Sequence, residues 1–317
     1  MYVDGLQYIY PSRAVFQQMR LGSLSAVHIT VGYHEDFLGV VDNLQTWNHW
    51  FEECGDLIAK ATSCEDILVA NAAGKTAILF GLQNPLAIGA DLARVELLSQ
   101  LGIRFCQLTY NQQSLLGSGC FEAYDNGLTV FGREVVDEMN RVGMIVDLSH
   151  AGHKTAMDVV GYSKRPTAVT HANPGVWHSV PRNIHDDLLK ALSDTGGMVG
   201  FSLYPHHLKS GSDCSLPEFS QMVAEMVEIY GNKMFGIGSD LCQDQPDSVV
   251  NWMRNGHWRK TPAPPVVFPD CPVWFRDNRD FSNLADGLKA AGLPAEHVAG
   301  VLGDNWVAFW QRGFDPS

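Results

Sequence analysis

Short apolar runs recur along this chain, and segments with helical periodicity separate most of them. Runs of four to six apolar residues that end at a turn are typical of buried parallel strands. The intervening segments carry leucine and valine at three- and four-residue spacing, and Gly143 and Gly196 follow two of them, where glycine favours a helix C-terminus. The eight apolar runs cover residues 2–8, 26–31, 77–82, 105–109, 144–148, 168–170, 198–203 and 235–238.

Eight strand–helix units predict an α/β fold, a distorted (β/α)8 TIM-like barrel. A doubly wound open sheet is the alternative, but no Gly-x-Gly-x-x-Gly motif follows the first run. We find no linker or internal repeat and predict one barrel domain over residues 1–317, ending in a helix over 295–314. A Pro- and Trp-rich excursion at about 242–280 does not fit a minimal barrel. We expect it to be a lid or an interface, which would allow a homodimer.

Charge and cysteine content limit the partners that we expect. The formal net charge of −13 argues against nucleic acid and against an anionic membrane as partners. The seven cysteines are scattered without Cys-x-x-Cys spacing, which favours a reducing compartment. The sequence has no signal-peptide pattern and no apolar run of membrane-spanning length. We therefore expect a cytoplasmic protein that acts on a small molecule.

Polar residues follow several of the predicted strands at the point where each strand ends. His150 and His171 follow the fifth and sixth runs, and Asp240 follows the eighth. The carboxyl ends of barrel strands meet on the face that carries the active site. Two histidines on neighbouring strands can bind one cation, and an aspartate opposite them can act as a general base. Other histidines, namely His178, His185, His206 and His207, are expected to be solvent-exposed.

Several stretches of the chain, in order, resemble the membrane (renal) dipeptidase family of metal-dependent hydrolases. They cover residues 105–111, 127–136, 140–150, 166–173, 181–183, 236–240 and 303–306. The resemblance implies a distorted (β/α)8 barrel of the amidohydrolase type and a site with two zinc ions bridged by a glutamate. It also implies that one ion is bound by His150 and His171, that Arg182 binds the substrate carboxylate, and that Asp240 handles the proton.

Other positions differ from the family pattern. The family motif Asp-Gly-His-Asn-Asp appears as Asp4-Gly5-Leu6-Gln7-Tyr8, so that Leu6 and Tyr8 replace the ligands of the first zinc ion. Gln83 stands where the bridging glutamate is expected, and a neutral amide cannot bridge two cations as a carboxylate does. We therefore predict zero or one zinc ion at His150 and His171, with Gln83 or Asp240 as a candidate third ligand.

Three functions remain open at this point. The first is a dipeptidase-like hydrolase with at most one metal ion, cleaving a dipeptide or a related small amide that bears a carboxylate. The second is a metal-independent isomerase, lyase or unusual amidase on the same barrel. The third is a non-catalytic protein that binds a small molecule. Tyr110, which replaces a substrate-binding histidine of the family, and Tyr204, which follows the seventh run, are the remaining candidates for substrate binding.

Overall fold

A closed barrel of eight parallel strands forms the centre of the molecule, in a computed structural model that describes residues 1–256 and 260–314. Nine strands are present in these ranges, namely β1 (Tyr2–Gln7), β2 (Leu24–Gly32), β3 (Ile58–Lys60), β4 (Thr76–Leu82), β5 (Ile103–Gln107), β6 (Ile145–Asp147), β7 (Ala168–Val169), β8 (Met198–Phe201) and β9 (Phe235–Ile237). β2 pairs with β1 on one side and with β4 on the other. The strands from β4 to β9 pair in chain order, and β9 pairs with β1 to close the barrel. The predicted (β/α)8 barrel is confirmed.

Helices surround the barrel and connect its strands. They are α1 (Arg13–Leu21), α2 (Phe37–Glu53), α3 (Cys64–Ala72), α4 (Ala93–Gln100), α5 (Val130–Val142), α6 (His153–Tyr162), α7 (Asp186–Thr195), α8 (Leu216–Tyr230), α9 (Asp247–Asn255), α10 (Phe281–Ala290), α11 (Ala295–Ala299) and α12 (Asn305–Phe314). Gly143 and Gly196 end α5 and α7 with φ of 71°. Only glycine adopts this left-handed conformation without steric cost, so both predicted helix ends are confirmed.

Two features of the fold differ from the sequence-based prediction. β3 is an additional strand that pairs with residues Thr76–Ile78 of β4, and its three residues are too few to show a periodic pattern. The prediction of a single helix over 295–314 is wrong, because a π-helical turn at Gly300–Asp304 separates α11 from α12. The backbone of Gly303 packs so closely against Met1 that an added Cβ would lie 2.5 Å from the Met1 carbonyl oxygen. The N-terminal residue thus packs against the chain at the point where the helix is interrupted.

The hydrophobic core fills the amino end of the barrel. Trp306, Phe309, Trp310 and Phe314 of α12 pack with the first interior residues of several strands, such as Val3 and Met198. The Trp306 indole Nε1 donates a hydrogen bond of 2.7 Å to the Ile237 carbonyl oxygen. α12 therefore closes the amino end of the barrel, and the polar side chains lie at the carboxyl end.

The excursion at 242–280 contains α9 and a long irregular segment. Residues 257–259, which belong to the predicted excursion, lie outside the described residues. Val250, Met253 and Arg254 of α9 line a cavity at the carboxyl end of the barrel. Among the described helices, none is both long and apolar enough to cross a membrane.

Candidate active site

A cavity of about 700 Å³ opens at the carboxyl ends of the barrel strands. This volume is within the usual range for small-molecule sites. Six of the residues singled out from the sequence lie on its wall, namely Gln83, Tyr110, His150, Arg182, Tyr204 and Asp240. His171 lies directly behind His150 and is completely buried. The structure therefore brings these candidates together at one place.

The imidazole rings of His150 and His171 face each other. Their Nε2 atoms are 3.0 Å apart. The His150 Nδ1 atom lies 2.6 Å from Asn111 Oδ1, and the His171 Nδ1 atom lies 2.9 Å from Thr170 Oγ1. The Tyr110 ring covers His150, with ring centroids 4.3 Å apart. Each ring is thus held in place through its Nδ1 atom, and its Nε2 atom points to its neighbour.

Asp147, the last residue of β6, determines how Thr170 can bond to His171. Thr170 Oγ1 donates a hydrogen bond of 2.5 Å to Asp147 Oδ2. Asp147 is buried and also accepts hydrogen bonds from the Ser149 hydroxyl and the Gln107 amide. Because the only Thr170 hydroxyl proton is directed to this carboxylate, Thr170 Oγ1 accepts from the His171 Nδ1–H group.

These contacts fix the tautomers of both histidines. Asn111 Oδ1 can only accept, so the His150 Nδ1 atom donates to it, and the His171 Nδ1 atom donates to Thr170. In the neutral rings both Nε2 atoms then carry lone pairs that face each other across 3.0 Å. Burial, together with the positive charge of Arg182, lowers the pKa of both histidines well below the ordinary value. The pair therefore fits a metal cation better than a shared proton at neutral pH.

Three residues at this end of the barrel have left-handed backbone conformations. The φ angles are 62° for Asn111, 64° for His150 and 57° for Asp240. Such conformations are uncommon outside glycine, cost about 1 kcal/mol or more, and concentrate at functional sites. They turn the chain sharply after β5, β6 and β9 and direct these side chains toward the cavity.

Asp240 is a carboxylate with no hydrogen-bond donor among the side chains and backbone groups that the structure describes. Its backbone N–H donates to the Leu6 carbonyl oxygen at 3.1 Å, which fixes its position after β9. Burial raises the pKa of its side chain to about 7, although Arg182 acts in the opposite direction. A carboxylate with this pKa can accept and return a proton near neutral pH.

Arg182 has the free donors that an anionic ligand requires. One guanidinium nitrogen donates to the His171 carbonyl oxygen at 3.1 Å, whereas the buried Nε atom has no partner. Within the described ranges, no carboxylate lies within 4 Å of this guanidinium group, although Arg182 is only 9% exposed. A buried cation without an anionic partner favours binding of a ligand carboxylate.

The residues that replace the first zinc ligands do not form a second metal site. Leu6 is completely buried, and Tyr8 packs edge-on against Tyr33 with ring centroids 4.5 Å apart. The Gln83 Nε2 group donates to Thr30 and Tyr33 at 2.8 and 2.6 Å. Within residues 1–256 and 260–314, no group of three or more His, Cys, Asp or Glu side chains could hold a metal ion. The nitrogen donors that the described residues offer to a cation at this place are therefore those of His150 and His171.

Some residues of the site were not found from the sequence. Tyr33 and Arg254 also line the cavity, although no motif marks them. His34, a polar residue that follows the second predicted strand, lies on the same wall. The expectation that His207 is solvent-exposed is wrong, because it is 4% exposed and its Nδ1 atom lies 2.7 Å from Ser202 Oγ. His206 is exposed, as expected, and lies on the cavity rim.

Comparison with known proteins gives consistent matches. A model of the membrane dipeptidase family, peptidase family M19, matches residues 25–252. An uncharacterized dipeptidase of Schizosaccharomyces pombe is 31% identical over 190 residues, which are 57% of this chain and 46% of that protein. The dipeptidase aclJ of Aspergillus oryzae is 28% identical over 305 residues, which are 95% of this chain and 61% of that protein. The chain thus spans about half to three-fifths of the length of these two relatives.

A solved structure is also similar over nearly the whole chain. It is an amidohydrolase from Pseudomonas aeruginosa that is 35% identical, with a TM-score of 0.94. The match covers 99% of this chain and 96% of that chain. The likeness therefore includes the whole barrel and the region after β9.

Proposed function

Because this chain belongs to the membrane dipeptidase family, peptidase family M19, we propose that it is a dipeptidase-like hydrolase that works with at most one zinc ion. The proposed substrate is a dipeptide or a related small amide with a free carboxylate. The observation that carries the proposal is the His150–His171 pair, in which two Nε2 lone pairs face each other across 3.0 Å. A zinc ion bound there would supply a Lewis acid for the scissile carbonyl group.

Each side chain has a distinct role in this proposal. Arg182 binds the substrate carboxylate through its free guanidinium donors and so orients the scissile bond. Asp240 accepts the proton of the attacking water and returns it to the leaving amine, which a pKa of about 7 permits. Tyr110 and Tyr204 lie on the cavity wall, where their rings can contact the bound substrate.

Elemental analysis and calorimetry test the metal content. Protein purified without chelator is expected to contain at most one zinc ion per chain, and chelated protein is expected to take up one. The His150→Ala variant should lose this binding, whereas the exposed His49→Ala variant should keep it. Dipeptides such as L-Ala-D-Ala and L-Ala-L-Ala are then offered with added Zn²⁺, Mn²⁺ or Co²⁺. Two bound ions would contradict the single-site proposal, and absence of hydrolysis with every metal would contradict the hydrolase proposal.

A metal-independent enzyme is the second candidate, and the distance between the histidines favours it. Two nitrogen ligands of a tetrahedral zinc ion lie about 3.3 Å apart, since each Zn–N bond is about 2.0–2.1 Å. The observed 3.0 Å is a hydrogen-bond distance. In this case His150, His171 and Asp240 act as acid and base groups without a metal ion. Activity that survives exhaustive chelation but is lost in Asp240→Asn would support this candidate.

A further inference from the structure

α9 lies over the rim of the cavity and is attached to it by specific contacts. The His34 Nε2–H group donates to the Met253 carbonyl oxygen at 3.0 Å. The Trp252 ring packs edge-on against the rings of His34 and Tyr33, with centroids 5.1 and 6.3 Å apart. Because His34 and Tyr33 themselves line the cavity, these contacts hold the helix at the site.

The last turn of α9 brings Arg254 to the cavity wall. Its side chain lies near Tyr204. Burial raises the pKa of Tyr204, and the positive charge of Arg254 lowers it by a smaller amount. In the part of the chain that the structure describes, Arg254 has no carboxylate within 4 Å. The guanidinium charge of Arg254 is therefore left for a ligand.

Two guanidinium groups without carboxylate partners among the described residues thus line one cavity, Arg182 from the loop after β7 and Arg254 from α9. The acids on the same wall are Glu122 and Asp240. Glu122 already accepts a hydrogen bond of 2.7 Å from the Gln113 backbone. A ligand with a single carboxylate would pair with one guanidinium group and leave the other unpaired.

We propose that Arg254 determines specificity by binding a second carboxylate of the substrate, so that the preferred substrates are dipeptides with an acidic side chain. This inference rests on the proposed function, in which Arg182 binds the terminal carboxylate. A planar guanidinium group binds carboxylates through two parallel hydrogen bonds, which an uncharged amide of the same shape cannot reproduce. The acidic residue stands at either position of the dipeptide, and separate arms of the test distinguish the two.

Isosteric dipeptide pairs provide the test. The kcat/KM values of L-Glu-L-Ala and L-Gln-L-Ala are compared, as are those of L-Ala-L-Glu and L-Ala-L-Gln, each also with the D-configured second residue. We expect the wild type to prefer glutamate over glutamine about five- to tenfold in one pair, mainly through KM. Arg254→Gln should remove this preference by lowering kcat/KM for the glutamate dipeptides to that of the glutamine dipeptides, and Arg254→Lys should restore part of it. Arg276→Gln, an exposed arginine on an adjacent cavity, is the matched control and should keep the preference.

A binding measurement separates this inference from the hydrolase proposal. Glutarate should raise the melting temperature of the wild type more than its monoamide glutaramate does, and Arg254→Gln should abolish the difference. Equal turnover of glutamate and glutamine dipeptides, or a preference that persists in Arg254→Gln, would overturn the role of Arg254. If no dipeptide is hydrolysed, the hydrolase proposal fails, and the glutarate measurement alone decides whether Arg254 recognises a second carboxylate.

Discussion

Asp147 accepts hydrogen bonds from both the backbone N–H and the hydroxyl group of Ser149 and of Thr170. This buried carboxylate thereby orients the hydroxyl group that holds His171. The arrangement resembles the outer shell of metal sites, where a carboxylate fixes the tautomer of a histidine ligand. At the scale of single residues, the chemistry of the histidine pair thus depends on partners that never contact the cavity.

Replacement of Thr170 by valine tests this dependence. Thr170→Val keeps the shape of the side chain but removes the hydroxyl link between Asp147 and His171. We expect zinc affinity to fall about 10- to 100-fold and the free energy of unfolding to fall by about 1–3 kcal/mol. Calorimetric zinc titration and urea unfolding measure the two effects. Thr170→Ser is the control and should restore most of both, whereas a valine variant with wild-type zinc affinity would contradict the argument.

The pH dependence of catalysis tests Asp240. Because burial raises its pKa to about 7, the carboxylate is deprotonated and able to accept a proton only as the pH rises through that value. We expect kcat/KM to fall about tenfold per pH unit below pH 7 and Asp240→Asn to lower kcat about 10²- to 10⁴-fold. Asp244→Asn, an exposed aspartate on the adjacent cavity, should retain activity. A flat profile between pH 5 and 7 would exclude Asp240 as the base.

At the scale of elements, close backbone packing positions the ends of the strands. Gly200 in β8 and Gly238 after β9 both face the Thr170 carbonyl oxygen. A Cβ on Gly238 would lie 1.7 Å from that oxygen, a separation that real atoms do not adopt. Strands β7, β8 and β9 can therefore approach each other only where side chains are absent, and this approach positions the backbone of Thr170 directly before His171.

Gly238→Ala is expected to be strongly destabilising. The added methyl group would displace backbone rather than a flexible side chain, which should lower the free energy of unfolding by about 3–5 kcal/mol. A methyl group added at Gly161 in α6 would instead meet no described atom within 4 Å. Gly161→Ala is thus the matched control and should stabilise the protein by up to about 1 kcal/mol through helix propensity. Thermal and chemical unfolding of both variants compare the two, and equal stability would refute the packing argument.

At the scale of the whole molecule, buried histidines make stability depend on pH. His207 is buried, and its pKa is held well below the ordinary value by burial and by Arg182. The unfolded chain therefore takes up a proton below pH about 6.5 that the folded protein does not. The contribution of His207 to stability is present above this pH and is lost as the pH falls.

In acid, unfolding of the wild type is accompanied by protonation of His207. We expect the His207→Gln variant to take up one proton fewer on unfolding, so that its stability falls less as the pH is lowered. Between pH 6 and 5 the slope of unfolding free energy against pH should be smaller than in wild type by about 1.4 kcal/mol per pH unit. Urea unfolding of metal-free protein over this pH range measures the slope. The exposed His49→Gln variant should have the wild-type slope. An unchanged slope in His207→Gln would show that His207 is protonated equally in both states.

Patterns along the chain were sufficient to predict the eight strands, the barrel, the ends of α5 and α7, and the strand-end residues His150, His171 and Asp240. These features depend on local order, since hydrophobic periodicity and glycine at helix ends act over a few residues. The family motifs added Arg182 and marked Leu6, Tyr8 and Gln83 as replacements. Local patterns of this kind can be recognised without a structure.

The way in which these residues meet depends on the folded molecule. The facing Nε2 atoms belong to residues 21 positions apart, and the link from Asp147 to Thr170 spans 23 positions. Folding also places Arg254 on the cavity wall, encloses His207 and raises the pKa of Asp240. Hydrogen-bond direction and desolvation depend on neighbours in space, and the order of residues along the chain does not specify them.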